Sequence, residues 1–236
     1  MRKFILLSLI LLTSCTFRAP ELVSPEVLKA PPLTSVKAQV YYQLKIPRKE
    51  LSGRLLLLAD PWGHLYFESL NPFGLALFQG NLIENYACGV LFPKQEVLIL
   101  VMDQAPPSLT KAWTYLILGK IPPFWFSKLT KAQKNGHQIR AYFDLEAENL
   151  KVEGIFSLSD YQLQRLVIKY RGHTMIRASY QRKDGRLVLT RIEIPLSRLT
   201  LSLKFLRIKP APLSPDFFVI YPPRDFQIKT YTFSLA

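Results

Sequence analysis

The chain has 236 residues, 49% of them apolar and 12% aromatic, which is enough for a hydrophobic core and excludes an intrinsically disordered protein. Lys and Arg number 31 against 17 Asp and Glu, so the formal net charge is +14. Nucleic acid is the usual partner of so basic a chain. The N-terminal sequence predicts export, however, and an exported protein does not meet nucleic acid. Anionic lipid headgroups or acidic proteins remain as partners, with a merely solvated basic surface as the alternative.

The first fifteen residues have the pattern of an export signal. Arg2 and Lys3 precede an apolar run over residues 4–12, and Leu12-Thr13-Ser14-Cys15 ends it. The run is too short for a transmembrane helix, which needs roughly 20 residues. Leucine, two small residues and cysteine resemble a bacterial lipobox, which implies cleavage before Cys15 and acylation of that cysteine. A plain secretory signal with an incidental cysteine is the alternative.

This pattern divides the chain into three parts. Residues 1–14 are predicted to be a lipoprotein signal peptide, and residues 35–236 one domain, since all-β domains often reach that length. In the lipoproteins that this pattern resembles, Asp after the cysteine often signals retention in the inner membrane. This chain has Thr16 at that position, so the outer membrane is expected. Residues 15–34 are predicted to be a lipid anchor and extended tether, without apolar periodicity and rich in proline: Pro20, Pro25, Pro31 and Pro32.

The rest of the chain is dominated by strand patterns. From Val36 to Ile46 apolar and polar residues alternate over eleven positions, which predicts a strand with one buried and one solvated face. Turn sequences stand at Asp60-Pro61-Trp62-Gly63, Asn135-Gly136 and Asp184-Gly185. Further strands are predicted at residues 53–59, 64–70, 75–82, 86–92, 97–102, 137–144, 150–157, 162–171, 174–182, 186–194, 198–206 and 226–233.

One segment predicts a helix rather than a strand. Ser108 is a suitable N-cap, and Gly119 stands where a helix-terminating glycine belongs. A second helical turn is predicted at residues 122–129. Between Ser108 and Gly119 apolar residues recur at helical spacing, which predicts a single amphipathic helix with one apolar stripe: Leu109, Ala112, Trp113, Leu116 and Ile117.

Together these elements predict an α+β chain, mostly β. Its architecture would be one large curled antiparallel sheet, an incomplete, half-open β-barrel with a short helical lid. A helix of about twelve residues is roughly 18 Å long and cannot cover such a sheet. Either the sheet closes tightly on itself, or it leaves an apolar hollow with the helix as a lid.

No residue pattern predicts an enzyme, a cofactor or a metal site. His64, His137 and His173 have no metal-ligand spacing, and the sequence contains no nucleophile, zinc or phosphate-loop motif. Cys88 has no disulfide partner once Cys15 is acylated, so it is predicted to be a small buried residue.

The sequence Asn71-Pro72-Phe73-Gly74-Leu75 joins two predicted strands and places a large apolar residue among turn-forming ones. Phe73 falls at the tip of this loop. Two alternatives remain open: Phe73 folds back onto the sheet, or it protrudes as a hydrophobic probe that contacts lipid or an acyl chain.

The lipobox, the tether, the paired strands and this loop occur in the order typical of the LolB family. The chain therefore resembles that family, the outer-membrane receptors of lipoprotein sorting. The helix ending Leu118-Gly119-Lys120-Ile121-Pro122 and the segment over residues 213–223 add to the resemblance, which covers residues 34–233. It implies a barrel of about eleven strands whose hollow holds a lipoprotein's acyl chains. Phe73 would match the exposed loop residue that passes cargo to the membrane, where Leu is more usual. The related carrier, LolA, has no lipobox, so Cys15 distinguishes a receptor from a carrier.

The resulting hypothesis is a non-enzymatic, monomeric receptor and chaperone, anchored to the periplasmic face of the outer membrane. It would accept lipoproteins from a LolA-like periplasmic carrier, because acyl chains, at about 0.8 kcal/mol per buried methylene, do not cross water unaided. The alternatives are a structural or scaffolding envelope lipoprotein and a lipid or glycolipid shuttle. The residues predicted to line the cavity are Leu55, Leu57, Phe67 and Phe78 on the strands and Leu109, Trp113, Leu116 and Ile117 on the lid.

Overall fold

The computed structural model describes residues 21–29 and 31–232, so the predicted signal peptide and Cys15 lie outside the described part of the chain. The described residues form fourteen strands and two short α-helices, α1 (Pro107–Thr110) and α2 (Trp113–Ile117). The strands are β1 (Val36–Ile46), β2 (Lys49–Ala59), β3 (Leu65–Leu70), β4 (Ala76–Ile83), β5 (Tyr86–Leu91), β6 (Glu96–Val101), β7 (Leu129–Asn135), β8 (Gln138–Leu145), β9 (Leu150–Ser157), β10 (Leu163–Tyr170), β11 (His173–Lys183), β12 (Arg186–Ile194), β13 (Leu199–Pro210) and β14 (Gln227–Thr232).

All of these strands belong to one sheet, in the order β14-β6-β5-β4-β3-β2-β1-β13-β12-β11-β10-β9-β8-β7. Two antiparallel runs, β1 to β6 and β7 to β13, meet where β1 pairs with β13, and β14 pairs parallel to β6. The sheet is open, with β7 and β14 as its edges. The predicted class, a mostly β chain on a half-open sheet with a small helical part, is confirmed. The described strands exceed the eleven that the resemblance implied.

The register of the strands fixes two faces. On β1, Val36, Ala38 and Val40 are buried, while Lys37 and Gln39 between them are exposed. We call the buried side the core face and the other the outer face. The sheet also has two ends. We call the end with the connection 71–75 the loop end, and the end at which β6 leads towards α1 the helix end.

The prediction of a single helix over residues 108–119 is wrong, because a turn at Lys111 and Ala112 separates α1 from α2. Ser108 is not the N-cap; its backbone N–H and its hydroxyl both donate to Glu148 Oε2, at 3.1 and 2.7 Å. The terminating role of Gly119 is confirmed by its φ of +65°. The second helical turn is also confirmed, as a 3₁₀ helix over Pro123–Lys128. Among the described residues, no helix has the length and apolar character needed to cross a bilayer.

The described part of the predicted tether is packed rather than extended. Leu22 forms a bridge with Gln133 on β7, and a 3₁₀ helix covers Pro25–Leu28. Leu28 and Leu33 are buried in the main core. The packed chain therefore begins before residue 35. The leucines of this segment are irregularly spaced among prolines and have no periodicity. The burial of Leu28 and Leu33 could therefore not be predicted from the sequence.

The C-terminal segment covers part of the outer face. Phe218 is 1% exposed, and its carbonyl accepts a hydrogen bond from Asn81 Nδ2 at 2.6 Å. On the same face Leu58, Val90 and Val97 are buried without belonging to the main core. The molecule therefore has a second, smaller apolar layer, after which the chain returns as β14 to the edge of β6.

Candidate functional site

Part of the core face remains only half covered, and it contains three of the residues predicted to line a cavity. Leu57 pairs with Phe67, and Leu55 pairs with Ser69, which in turn pairs with Phe78, so their side chains share one face. Leu55, Phe67 and Phe78 are half-buried, whereas Leu57 is 3% exposed and belongs to the closed core. We call Leu55, Phe67 and Phe78 the apolar floor.

Glycines opposite the floor allow its aromatic rings to lie close to the sheet. The Phe67 and Phe78 ring centroids are 5.3 Å apart. A Cβ atom at Gly80 would come within 2.2 Å of Phe67 Cε2, and one at Gly89 within 3.3 Å of Phe78 Cε2. The rings therefore lie directly over glycine backbone. This arrangement presents flat aromatic surface, which suits an aliphatic chain.

The predicted lid residues lie elsewhere. Leu109, Leu116 and Ile117 are buried in the main core, and Trp113 is half-buried against it. The prediction that these leucine and isoleucine side chains line a hollow under a lid is therefore wrong, because they are buried in the core and help to fill it. Hydrogen bonds fix the segment to the sheet: Thr114 Oγ1 to His64 O at 3.3 Å, Tyr115 Oη to Pro61 O at 2.9 Å, and Thr190 Oγ1 to Ile117 O at 2.8 Å.

The loop over residues 71–75 projects from the sheet next to the floor. Asn71 Oδ1 accepts hydrogen bonds from the backbone N–H groups of Phe73 and Leu75, both at 2.9 Å, and Gly74 has a φ of +81°. This turn holds Phe73 outward, with 88% of its surface exposed. Leu75 is 66% exposed. Of the two sequence-based alternatives, the structure has the protruding one.

An open depression of about 750 Å³ lies beside this loop. Most of its wall is outer-face surface, where Lys37, Arg54 and the acidic Glu68 stand near apolar side chains. Asn71 and Pro72 form its rim, and the apolar part of the wall includes Leu56, Leu70 and Leu206. The loop end therefore combines exposed apolar side chains with one neighbouring basic residue, Arg54, and one acidic residue, Glu68.

A second cavity, of about 490 Å³, opens at the helix end. The N-terminal segment forms one wall, the stretch from Leu118 to Ile121 another, and the connection before β10 and the β11–β12 hairpin the rest. Its apolar wall is made of buried side chains: Leu28, Leu33, Val36, Leu118, Ile121, Phe156, Leu163 and Leu187. None of the residues predicted to line a cavity belongs to it.

Three cations stand in the wall of this cavity: Lys29, which pairs with Glu26 Oε1 at 2.7 Å, and Lys120 and Arg182. Arg182 donates from Nη2 to Gly119 O at 2.8 Å, and Lys120 donates from Nζ to Pro31 O at 3.3 Å. Burial lowers the pKa of both side chains, and their mutual repulsion lowers that of Lys120 further. Within the described part of the chain, buried Arg182 Nε and Gln162 Oε1 have no hydrogen-bond partner. The exposed carboxylate of Asp160 is the acidic group in the wall.

The described residues offer little for metal or thiol chemistry. Across residues 21–29 and 31–232, no three His, Cys, Asp or Glu side chains are grouped to hold a metal ion. Cys88 is half-buried on β5, and burial raises the pKa of its thiol, which keeps it protonated. Lys120 and Arg182 are the site residues that sequence reasoning misses. They are 62 positions apart, and no local pattern links them.

Neither a family model nor a curated protein matches the chain. Solved structures do: a LolA superfamily protein from Nitrosomonas europaea superposes with a TM-score of 0.55 and 13% identity, over 83% of this chain and 94% of that one. A DUF1329 family protein from Desulfovibrio piger superposes with a TM-score of 0.53 and 8% identity, over 83% and 92%. At these identities the likeness shows the fold. The chain has the open, mostly β fold of LolA-like proteins.

Proposed function

We propose that this protein is a non-enzymatic receptor that takes up the acyl chains of lipoproteins and delivers them to the outer membrane. The observation that carries the proposal is the juxtaposition of the apolar floor with the exposed Phe73 loop. Phe78 lies three residues after Leu75 on the strand that leaves the loop, and it pairs with Ser69 on the strand that enters it. A chain released from the floor would therefore meet the loop first.

The floor suits reversible binding of acyl chains. Leu55, Phe67 and Phe78 are half-buried, so part of their apolar surface faces water before any chain arrives. Each methylene removed from water contributes about 0.8 kcal/mol, and a chain of several methylenes covers both rings. Because the floor is open on one side, a bound chain keeps part of its own surface exposed. Its affinity is then lower than that of a bilayer, and release into the membrane runs downhill.

The loop end suits contact with a membrane surface. Phe73 and Leu75 are large, exposed and apolar, and such side chains insert at the boundary between headgroups and acyl chains. Arg54 on the adjacent outer face adds attraction to anionic headgroups, which Glu68 in the same wall partly offsets. The net charge of +14 likewise supports an acidic LolA-like carrier as the donor of cargo.

Acylation of Cys15 would keep this domain close to the membrane. Glu21 is already packed against β7, where its carbonyl accepts from Lys134 N at 2.9 Å. Glu21 is six positions after Cys15, and six residues of fully extended chain span about 20 Å. Lys134 lies at the helix end of β7, opposite the Phe73 loop, so the loop reaches the bilayer when the sheet lies along the membrane. The proposed receptor works there as a monomer with no cofactor.

Delivery of a reporter lipoprotein to the outer membrane, in cells depleted of the native copy, tests this function. Phe73→Glu should abolish delivery and leave the folded domain intact, because Phe73 contributes no core packing. Trp62→Glu is the matched control: Trp62 is a 77% exposed aromatic residue in the turn at the opposite end of β3. Unchanged delivery by Phe73→Glu, or equal loss with Trp62→Glu, would contradict the proposal.

A further inference from the structure

The cavity at the helix end is separate from the apolar floor, because it opens at the other end of the same sheet. Val36, at its wall, pairs with Ala59 at the end of β2, and Ala59 pairs with Leu65, the first residue of β3. The Phe73 loop follows the last residue of β3. A ligand here would therefore not be in transit between the floor and the loop.

The wall of this cavity has an apolar part and a cationic part. The deep part is leucine, isoleucine, valine and phenylalanine, whereas Lys120 and Arg182 stand together, joined through Gly119, whose carbonyl binds Arg182. Asp160 is the carboxylate in this wall, against Lys120, Arg182 and the Lys29 that pairs with Glu26, so positive charge remains in excess. An apolar volume with a cationic group in its wall is complementary to an amphiphile with an anionic head.

The hydrogen bonding of this wall is incomplete. Arg182 uses Nη2 for Gly119 O, but its buried Nε has no acceptor among the described residues. Gln162 Oε1, in the same wall, likewise has no donor within residues 21–29 and 31–232. Buried polar atoms are normally paired, and an unpaired donor on a cation is costly. An anionic group in the cavity, beside Lys120 and Arg182, would offset the desolvation that lowers the pKa of both cations.

The volume is sufficient for an acyl chain. One liquid water takes up about 30 Å³, and a methylene group is of similar size. A cavity of about 490 Å³ that opens to solvent therefore has room for at least one acyl chain.

We propose that the cavity at the helix end binds a single-chain anionic amphiphile, with its carboxylate or phosphate on Lys120 and Arg182 and its chain against the apolar wall. This ligand is distinct from the lipoprotein cargo of the floor. The site would let the receptor sense or carry free single-chain lipids of the envelope.

Photo-labelling of the full-length lipoprotein in phosphatidylcholine nanodiscs tests the site without any delivery step. The probes are photoreactive palmitic acid, its methyl ester and a photoreactive lysophosphatidic acid, with labelled peptides mapped by mass spectrometry. The acid, the phosphate or both should label residues 27–36, 118–121 and 156–163 about tenfold more than the neutral ester. Labelling by one anion alone identifies a fatty acid or a lysophospholipid as the source.

Lys120→Gln should lower this labelling about tenfold, because it removes one charge-assisted hydrogen bond. Lys183→Gln is the matched control, since Lys183 follows Arg182 in sequence, is exposed and lies outside the cavity wall. Arg182→Gln is a second variant. If Arg182→Gln does not fold, the labelling of Lys120→Gln decides the result. Equal labelling by ester and anions, labelling away from these peptides, or equal effects of both lysine variants would overturn the proposal.

Discussion

Replacing Gly80 by alanine tests whether the floor depends on an aromatic ring that lies over bare backbone. The new Cβ would come within 2.2 Å of Phe67 Cε2, whereas carbon atoms in contact are about 3.5–4.0 Å apart. The ring must therefore move by more than about 1 Å. Phe78 limits that movement, with its ring centroid 5.3 Å away.

Overpacking of this kind costs about 1–3 kcal/mol, so Gly80→Ala should lower the midpoint of thermal unfolding by about 2–12 °C for a domain of this size. Gly89→Ala is the graded control, because its Cβ would be 3.3 Å from Phe78 and needs only a small adjustment. Differential scanning calorimetry measures both.

The double variant Gly80→Ala/Phe67→Leu separates ring contact from a general backbone effect. A smaller, more flexible side chain relieves the clash, so the double variant should be more stable than the sum of the two single changes by at least about 0.5 kcal/mol. If Gly80→Ala is as stable as the wild type, or if the two changes are strictly additive, the described position of Phe67 is wrong.

Three further predictions concern the loop, the C-terminal segment and alkaline pH. Asn71→Ala removes the acceptor of two backbone N–H groups and should cost about 1 kcal/mol in a thermal melt, and an unchanged melt would contradict the loop geometry. Phe218→Ala should cost about 3–5 kcal/mol in urea denaturation, and a loss below about 1 kcal/mol would show that the outer-face layer adds little. Burial, and then Glu68, raises the pKa of Tyr66 to about 12, so its stabilising effect is complete below pH 10 and lost as the pH rises towards 12. Tyr66→Phe should flatten that alkaline loss of stability, and an unchanged slope would refute the assignment.

The strands could be predicted where alternation is strict. β1 has the predicted bounds because every second side chain from Val36 to Val40 enters the core. The sequence predicts no strand at β7, because Ala132 is the single buried residue of that strand. Its pairing depends on β8 and on the N-terminal segment, which are contacts that a local pattern does not encode.

The candidate site could be predicted in part. Phe73 was expected in a turn between strands, and Asn71 and Gly74 give that turn its shape from local chemistry alone. The broken helix was not predictable from periodicity, because Ser108 binds Glu148, forty residues away, instead of capping its own helix. The pairing of Lys120 with Arg182 is likewise a product of tertiary packing.

The most direct test of the receptor account is photo-crosslinking from the floor to a lipoprotein's acyl chains in cells. Benzoylphenylalanine at Phe78 would face the floor, whereas the same residue at Tyr66 would lie on the opposite face of the neighbouring strand. The account predicts acyl-dependent crosslinks from position 78 and none from position 66. Equal crosslinking from both positions, or none from position 78, would contradict it.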